Sequence, residues 1–179
     1  YTIRHGGLSA TYWSRFILIG SMNPAEGSLR PQIMDRFGLR VYVHPLEEPQ
    51  ARLAAYQRAQ QYRQNPQQYA SLFNEEMEAA RLEVIAARKL LPSVQLDSDA
   101  SNLGASLIKQ LGIQSLRAEI ALFEAARAHA AAAGRENAGT EDVRVVAPLA
   151  LRLRQAGDQL TDPQTEEEEI AALLANIPG

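Results

Sequence analysis

The sequence of 179 residues contains no cysteine, so it can form neither a disulfide bond nor a thiolate metal site. No apolar run approaches the roughly 20 residues of a membrane-spanning helix, and the N-terminus does not have the pattern of a signal peptide. The formal net charge of −3 gives no electrostatic basis for binding nucleic acid. We therefore expect a cytoplasmic protein with no membrane span and no nucleic-acid partner. Its hydrophobic content of 46% is enough for a globular core.

Motifs that grip phosphate or metal are also missing. No G-x-x-x-x-G-K-[ST] loop occurs, and no apolar strand ends in paired acidic residues that could hold a magnesium ion. The three histidines are scattered along the chain without the spacing of metal ligands, so we expect them at the surface or half-buried. No Ser/His/Asp arrangement and no pair of catalytic carboxylates stands out. The sequence therefore predicts no metal site of its own.

The most informative segment is residues 16–39, which read FILIGSMNPAEGSLRPQIMDRFGL. It opens with four apolar residues stopped by Gly20, a pattern that predicts a short strand buried on both faces. Asn23 follows at the C-terminal end of this strand, where open α/β sheets hold their ligands. An asparagine before Pro24 is also typical of a turn, so the residue by itself has two interpretations.

The same segment predicts a short helix that carries two arginines, Arg30 and Arg36. Pro31 suits the first turn of this helix, and Gly38 suits its end. An arginine offers a planar fork of donors that matches phosphate oxygens, and it stays charged at any working pH. Alternatively, Arg36 pairs with Asp35 or another surface acid and contributes little.

The remainder of the sequence is mostly helical. Residues 40–44 alternate between apolar and polar and end at Pro45, which predicts a second strand. Capping residues, glycines and prolines then delimit helices. The expected helices cover about 50–64, 74–91, 98–112, 115–134 and 140–153. Their predicted caps are Asn74, Ser98, Ser115 and Thr140, and Pro148 predicts a kink in the last of them. A final amphipathic helix follows a predicted linker at 157–165.

The segment closely resembles one in the AAA+ ATPase subunit of magnesium chelatase and its near relatives. In that family a strand ends in G-[ST]-x-N-P-E-E-G, followed by E-L-R-P-Q-L-L-D-R-F-G-L. Here residues 20–39 read GSMNPAEG and then SLRPQIMDRFGL, with departures at Ala25 and Ser28, away from the expected nucleotide chemistry. The resemblance continues more loosely to about Arg154. It implies an α/β plus all-α fold, the second half of an AAA+ αβα core followed by a helical lid domain.

On this resemblance, we expect residues 1–47 to form the C-terminal part of the nucleotide-binding core, with a hairpin before the asparagine strand. Residues 48–73 would form a connecting helix, 74–156 the lid, and 157–179 a linker and C-terminal helix. Because the first residue is Tyr1 and the family's phosphate loop lies upstream of the asparagine strand, we expect a piece of a longer protein. ATP and magnesium are expected in the whole protein, and neither is expected to bind to this chain alone.

The resemblance also implies roles in phosphoryl transfer for three residues of the segment. Asn23 matches the sensor-1 residue, which orients the attacking water and senses the γ-phosphate. Arg36 matches the arginine finger, which reaches the ATP of the neighbouring subunit and stabilises the charge of the transition state. Arg30 would share that role or brace the interface between subunits.

A fourth residue is implied by a second stretch, in the lid. Residues 112–119 read GIQSLRAE and match the family's G-x-x-G-L-R-x-E. The matched arginine, Arg117, corresponds to the sensor-2 residue, which touches the γ-phosphate from the same subunit, where a helix N-terminus adds its positive field. The alternative is a surface arginine without a role beside Glu119, since residues two apart on a helix do not face each other.

The function implied by the resemblance is an ATPase ring, hexameric in the family, that drives metal insertion into a porphyrin. Its partners would be a second AAA+ chelatase subunit with an integrin-like domain and a porphyrin-binding catalytic subunit. Two alternatives stay open: a degenerate AAA+ module that serves assembly only, and a MoxR-type chaperone motor with another client. The presence of Asn23, Arg36 and Arg117 together favours an active motor. The sequence does not distinguish magnesium from cobalt.

Overall fold

The computed structural model describes residues 2–5, 8–11, 13–14, 16–23, 27, 29–152, 154 and 163–176. The chain divides into two compact units, residues 1–30 and residues 31–179. The predicted domain boundaries after residues 47, 73 and 156 stay predictions. Within the described part of the chain, no helix has both the length and the apolar character needed to cross a membrane.

The first unit contains an antiparallel hairpin. Strand β1, Thr2–His5, pairs with β2, Leu8–Thr11, so that Thr2 lies opposite Thr11 and His5 lies opposite Leu8. The hairpin expected before the asparagine segment is therefore confirmed.

The prediction of a buried strand at residues 16–19 is wrong for this structure. Residues 16–23 contain no strand, and the apolar side chains are exposed, with Ile17 exposed to 91%. A central strand is buried only when neighbouring strands pair with its backbone on both sides. The described part of the chain provides no such neighbours. Asn23 consequently does not stand at the end of a strand, and Pro24, Ala25 and Ser28 lie outside the described residues.

The second unit is mostly helical, with one small parallel sheet. Its elements are α1 Pro31–Met34, α2 Pro49–Gln64, α3 Pro66–Ser71, α4 Asn74–Leu90, a 3₁₀ turn Leu91–Ser93, β3 Gln95–Leu96, α5 Ser98–Gln110, α6 Leu116–Ala132, β4 Asn137–Ala138, α7 Thr140–Leu151 and α8 Pro163–Asn176. Strand β3 runs parallel to β4.

The prediction of a strand at residues 40–44 is also wrong, because this segment contacts the end of α7 instead of pairing with another strand. The Arg40 N–H donates to the carbonyl of Leu149 at 2.9 Å, so the chain here runs against the end of α7. Further along, the ring of Tyr42 lies 4.8 Å from the guanidinium carbon of Arg152. This segment is therefore held by the helices and not by a sheet.

The predicted helices from α2 onwards are confirmed, with small shifts at their ends. The short helix predicted to carry Arg30 and Arg36 covers only Pro31–Met34, so neither arginine lies in it. The N-caps of α4, α5 and α7 are Phe73, Asp97 and Gly139, each one residue before the predicted cap. Helix α3 was not expected, and the Asn65 side chain explains it, since its Oδ1 accepts the N–H of Gln68 at 3.1 Å and restarts the helix after Asn65-Pro66. Pro148 lies inside α7 as predicted, and its kink stays a prediction. The predicted linker lies outside the described residues as far as residue 162.

The core forms where α5, α6, α7 and α8 pack on one another. The leucines at positions 103, 107 and 111 follow helical spacing and form one stripe of α5 and its C-cap, and all three are buried. Helix α6 presents mainly small residues to this core, and helices with small contact residues can approach closely. The buried contributors from the other helices are Ala118, Leu122 and Ala126 on α6, Val143, Val146, Ala147, Ala150 and Leu151 on α7, and Ile170 on α8.

Gly104 on α5 marks the tightest contact in this core. A Cβ at this position would overlap the ring of Phe123 and lie 3.2 Å from Cδ2 of Leu122. Gly104→Ala should therefore destabilise the chain by about 2 kcal/mol through overpacking, although alanine is the better helix former. The matched control is Asn102→Ala on the exposed face of α5, which should be neutral or slightly stabilising. Urea unfolding followed by circular dichroism measures both, and an unchanged midpoint for Gly104→Ala would contradict this packing.

A buried carboxylate joins α6 to the start of α7. The Asp142 side chain is only 1% exposed, and the two Nη atoms of Arg135 donate to its oxygens at 2.7 and 2.5 Å. The Gly139 N–H donates to Oδ2 at 2.9 Å, which caps α7, and Nδ1 of His129 lies 2.6 Å from Oδ1. The bonds from Arg135 lower the pKa of Asp142 far below its usual value, although burial opposes this. The carboxylate is therefore a charged and fully hydrogen-bonded part of the second unit.

Candidate functional site

Asp35 is the centre of a polar cluster in the second unit. It lies in the turn directly after α1, and its Oδ1 accepts hydrogen bonds from Ser115 Oγ and Arg154 Nη1, both at 2.7 Å. Oδ2 accepts a hydrogen bond from Arg117 Nη1 at 3.0 Å. Three residues from the start of α6 and the end of α7 thus converge on one carboxylate that is about 80 to 120 residues away in sequence.

The surroundings of Asp35 favour its charged form. The hydrogen bond from Ser115 lowers the pKa of this carboxyl most, and the hydrogen bond from Arg117 and the charge of Arg154 lower it further. Partial burial, which would raise the pKa, does not outweigh them. Asp35 is therefore a fixed negative charge at working pH, and it fixes the positions of its three donors.

Ser115 has a different partner from the one predicted. It is the N-cap residue of α6, as expected, but its side chain makes no capping hydrogen bond. Its hydroxyl donates to Asp35 instead. The start of α6 is therefore joined to the turn after α1 by the residue that the sequence assigns to local capping.

Arg154 is the buried member of the cluster, with a side chain exposed to only 2%. Besides its bond to Asp35, its Nε donates to the carbonyl of Ala150 at 2.8 Å, and its Nη2 donates to the carbonyls of Phe37 and Gly38 at 3.0 and 3.3 Å. Burial lowers the pKa of Arg154, and Asp35 opposes that shift. An arginine stays charged even so, because its ordinary pKa is far above neutrality.

Arg36 directly follows Asp35 in sequence, but its side chain is not part of the polar cluster. Its side chain is exposed, and among the described residues its guanidinium has no hydrogen bond or ion pair. The alternative in which Arg36 pairs with Asp35 is not what the structure contains, because that carboxylate binds Arg117 and Arg154. The finger role stays a prediction, and the guanidinium is accessible to a ligand.

Arg117 lies in the first turn of α6 with its side chain exposed to 63%. It contacts Asp35, the residue immediately before Arg36, and not Glu119. Arg117 therefore contacts the residue that precedes Arg36 in sequence, which relates two of the predicted site residues through Asp35. Asn23 and Arg30 belong to the first unit, where both are exposed, and their roles stay predictions.

Sequence reasoning missed Arg154 and the true role of Asp35. Arg154 lies beyond the end of α7 without a local motif, and its partner Asp35 is 119 residues away. The local sequence does not distinguish Arg154 from Arg152, which lies two residues earlier. Within the described ranges, no group of three or more His, Asp or Glu side chains is arranged to hold a metal ion.

The lowered pKa values of Asp35 and Asp142 predict loss of stability in acid. In the unfolded chain these carboxyls take up protons near their ordinary pKa of about 4, whereas in the folded chain they take them up at lower pH. Their contribution is complete above that pH and is lost progressively below it. We expect similar urea midpoints at pH 7 and pH 5 and a clear decrease by about pH 3. A midpoint at pH 3 equal to that at pH 7 would contradict the charged clusters.

Comparison with known proteins gives a family and a consistent set of relatives. The sequence profile of the AAA lid domain matches residues 103–173. A magnesium-chelatase subunit ChlI homolog from Methanocaldococcus jannaschii is 37% identical over 172 residues, which is 96% of this chain and 47% of that protein. Magnesium-chelatase subunit ChlI of Anabaena variabilis is 36% identical over 159 residues, which is 89% of this chain and 47% of that protein. The chain spans about half the length of these curated relatives.

A plant relative and a solved structure agree with these matches. The chloroplastic ChlI of Glycine max is 36% identical over 89% of this chain and 38% of that protein. The crystal structure of a proposed ATPase from Cytophaga hutchinsonii is similar with a TM-score of 0.64 and 18% identity, over 99% of this chain and 58% of that one. At this identity the structural likeness supports the fold alone.

Proposed function

Because this chain is an AAA+ sequence of the magnesium-chelatase ChlI type, comprising the C-terminal part of the ATPase core and a helical lid, we propose that the whole protein is an ATP-hydrolysing ring motor. ATP with magnesium would bind between neighbouring subunits. The second unit of this chain would contribute Arg36 and Arg117 to that site.

The observation that carries the proposal is the meeting of these two arginines through Asp35. Arg36 is the next residue after Asp35, and Arg117 donates to the Asp35 carboxylate at 3.0 Å. Both guanidinium groups are accessible. Two exposed arginines that are related through one carboxylate suit the binding of a phosphate group that carries several negative charges.

This adjacency bears on which ATP molecule Arg117 would reach. The sequence alone suggests that Arg36 contacts the neighbour's ATP and that Arg117 contacts its own. Because Arg117 binds the residue next to Arg36, we infer that both arginines face the same γ-phosphate, the one bound by the neighbouring subunit. Arg117 would then leave Asp35 or share it when phosphate is present. Such a change of partner makes the contact depend on nucleotide state.

The chemistry of these side chains follows from their charge. Phosphoryl transfer needs positioning and electrostatic stabilisation more than covalent assistance. Arg36 and Arg117 would stabilise the negative charge on the γ-phosphate oxygens as it redistributes in the transition state. Asn23 of the subunit that binds the nucleotide would orient the attacking water.

We propose a chelatase complex as the client, because the relatives that match most of this chain include magnesium-chelatase ChlI subunits. The motor would then act on a second AAA+ subunit with an integrin-like domain and on a porphyrin-binding subunit that inserts the metal, in the cytoplasm. A chaperone motor of the MoxR type with another client is the second candidate. A module that serves assembly only is less well supported, since it would not need two accessible arginines at one site.

The test is phosphate release by the whole protein with magnesium and ATP, measured as a function of subunit concentration. A site shared between subunits predicts a specific activity per subunit that is negligible when the protein is dilute and rises to a plateau as rings form. A specific activity that is constant down to concentrations at which sedimentation shows only monomers would contradict a shared site. No hydrolysis by assembled rings would favour the assembly module.

Arg117→Ala tests the role in trans. In the whole protein this variant should lower kcat by about 100-fold, because one of two charges at the transition state is lost. Mixed with a variant whose ATP-binding loop is disabled, it should recover part of the activity, since each subunit provides what the other lacks. If the mixture stays inactive while mixed rings form, Arg117 acts within its own subunit.

A further inference from the structure

The segment on both sides of Arg36 is bound closely to the end of α7. Arg154 contacts Asp35, Phe37 and Gly38. Arg40 provides a second attachment, since its Nη1 donates to the carbonyl of Arg152 at 2.7 Å and its Nη2 to the carbonyl of Met34 at 2.5 Å.

In contrast to these neighbours, the Arg36 side chain projects from the bound segment without a partner of its own among the described residues. Its backbone, however, is ordered locally. The Arg36 N–H donates to the carbonyl of Ile33, and the Phe37 N–H donates to the carbonyl of Met34, both at 3.1 Å. The turn at residues 34–38 therefore sets the direction of the Arg36 side chain, and the contacts of Arg154 and Arg40 hold this turn in place.

We infer that Arg154 is the positioning residue for Arg36: it fixes the turn that aims the arginine finger and makes that aim depend on the placement of the lid. The inference rests on the proposed function for its catalytic meaning, and on the contacts of Arg154 for its physical basis. Arg154 does not reach a nucleotide in this account, because its side chain is buried and its donors are bound to protein oxygens.

Only an arginine can make this set of contacts. Its guanidinium donates in three directions in one plane, to the carboxylate of Asp35, to the carbonyls of the turn, and to the carbonyl of Ala150 near the end of α7. A lysine would keep the charge but provides a point donor without a fixed fork. A methionine would keep the approximate volume and remove every donor, which leaves Asp35 with less compensation for its charge.

The chain offers a matched control at a distance from Arg36. Arg127 on α6 makes a similar set of contacts. Its Nε and Nη2 donate to the carbonyls of Val94 and Leu91 at 3.0 and 3.1 Å, and its Nη1 pairs with Glu124 at 2.7 Å. Arg127→Met removes a comparable set of bonds without touching the turn. Any effect specific to Arg154 must therefore exceed the effect of this variant.

The first measurement is amide hydrogen exchange on the chain itself. In Arg154→Met, the amides of Arg36 and Phe37 should exchange about 10-fold faster or more, because the turn opens locally. The amide of Leu122 in the core should be unchanged, which shows that the lid remains folded. Arg154→Lys should give a smaller acceleration, and Arg127→Met none at these amides. Unchanged exchange at Arg36 and Phe37 in Arg154→Met would overturn the inference.

The second measurement is a double-mutant cycle in the whole protein with magnesium and ATP. Arg154→Met should lower kcat by about 10- to 100-fold through misplacement of Arg36, with little change in KM. Added to Arg36→Ala, it should cost nothing further, because there is no finger left to position. A double variant whose loss is the product of the two single losses would show that Arg154 stabilises the protein without positioning Arg36.

The two measurements separate failure of the inference from failure of the proposed function. A wild-type protein that does not hydrolyse ATP overturns the motor, and with it the catalytic meaning of Arg154, whatever the exchange shows. A wild-type protein that hydrolyses ATP, with unchanged exchange or multiplicative losses in the variants, overturns the positioning role and leaves the motor standing.

Discussion

Arg36→Ala in the whole protein should lower kcat for ATP hydrolysis by about 10³-fold or more, with KM for ATP largely unchanged. The reason is that a finger acts on the charge that develops in the transition state and contributes little to the ground state. The structure supports this expectation, since Arg36 is exposed and the neighbouring acid, Asp35, is bound to Arg117 and Arg154. Phosphate release at varied ATP concentration gives both constants.

A matched control is Arg58→Ala, which removes an exposed arginine from α2 without a proposed role. It should leave kcat within about two-fold of the wild type, as expected of a surface substitution. If Arg36→Ala behaves like Arg58→Ala, Arg36 is a surface arginine and the finger role is wrong. A rise in KM with unchanged kcat would instead indicate a role in binding ATP.

Asp142→Ala should destabilise the chain by about 3 kcal/mol. The substitution removes the acceptor for Arg135, His129 and the Gly139 N–H, and it leaves a cavity at a side chain that is 1% exposed. The loss occurs where α6, β4 and α7 meet. Urea unfolding of the chain at pH 7 measures it.

The control for Asp142→Ala is Glu141→Ala in the same helical turn, where the side chain is exposed. It removes a favourable charge near the helix N-terminus, which contributes less than about 1 kcal/mol. Equal effects of the two substitutions would show that the buried cluster contributes no more than a surface charge. The loss for Asp142→Ala should be smaller at pH 3 than at pH 7, because Asp142 of the unfolded chain takes up its proton near its ordinary pKa, above pH 3. A loss that is larger at pH 3 than at pH 7 would contradict the lowered pKa of Asp142 in the folded chain.

Helices were predictable from the sequence because their signals are local. Pro49 starts α2, and Gly112 ends the turn after α5 with a φ of 64°, which glycine tolerates better than other residues. The leucine stripe of α5 identified its buried face. The caps of α4, α5 and α7 differ by one residue from the prediction, since each predicted capping residue is the first residue of its helix.

The strands were predicted less well because a strand depends on distant partners. The apolar run at residues 16–19 carries the composition of a buried strand, but composition cannot supply the neighbours that pair with its backbone. Residues 40–44 have the alternation of a strand, yet Arg40 binds Leu149 and Arg152 instead. In both cases tertiary context decided the outcome.

In the candidate site, too, the residues with local sequence signals were predicted and those that depend on distant contacts were not. The arginines at 36 and 117 were found because each lies in a short motif that resembles one in a known family. The residues that hold them in place were missed, since Ser115 was assigned to a local cap and Arg154 has no motif. Their shared partner, Asp35, becomes evident only when the packing of α6 and α7 brings distant segments together.

The most direct test of the central claim is a mixing experiment with the whole protein. Arg36→Ala subunits are combined with subunits whose ATP-binding loop is disabled, each inactive alone, and phosphate release is measured as the ratio varies. A finger that acts on the neighbour's ATP predicts activity that is highest near equal amounts, because the intact loop and the intact finger then meet at one interface. Mixed rings that form but release no phosphate at any ratio would contradict the claim that Arg36 completes a site shared between subunits.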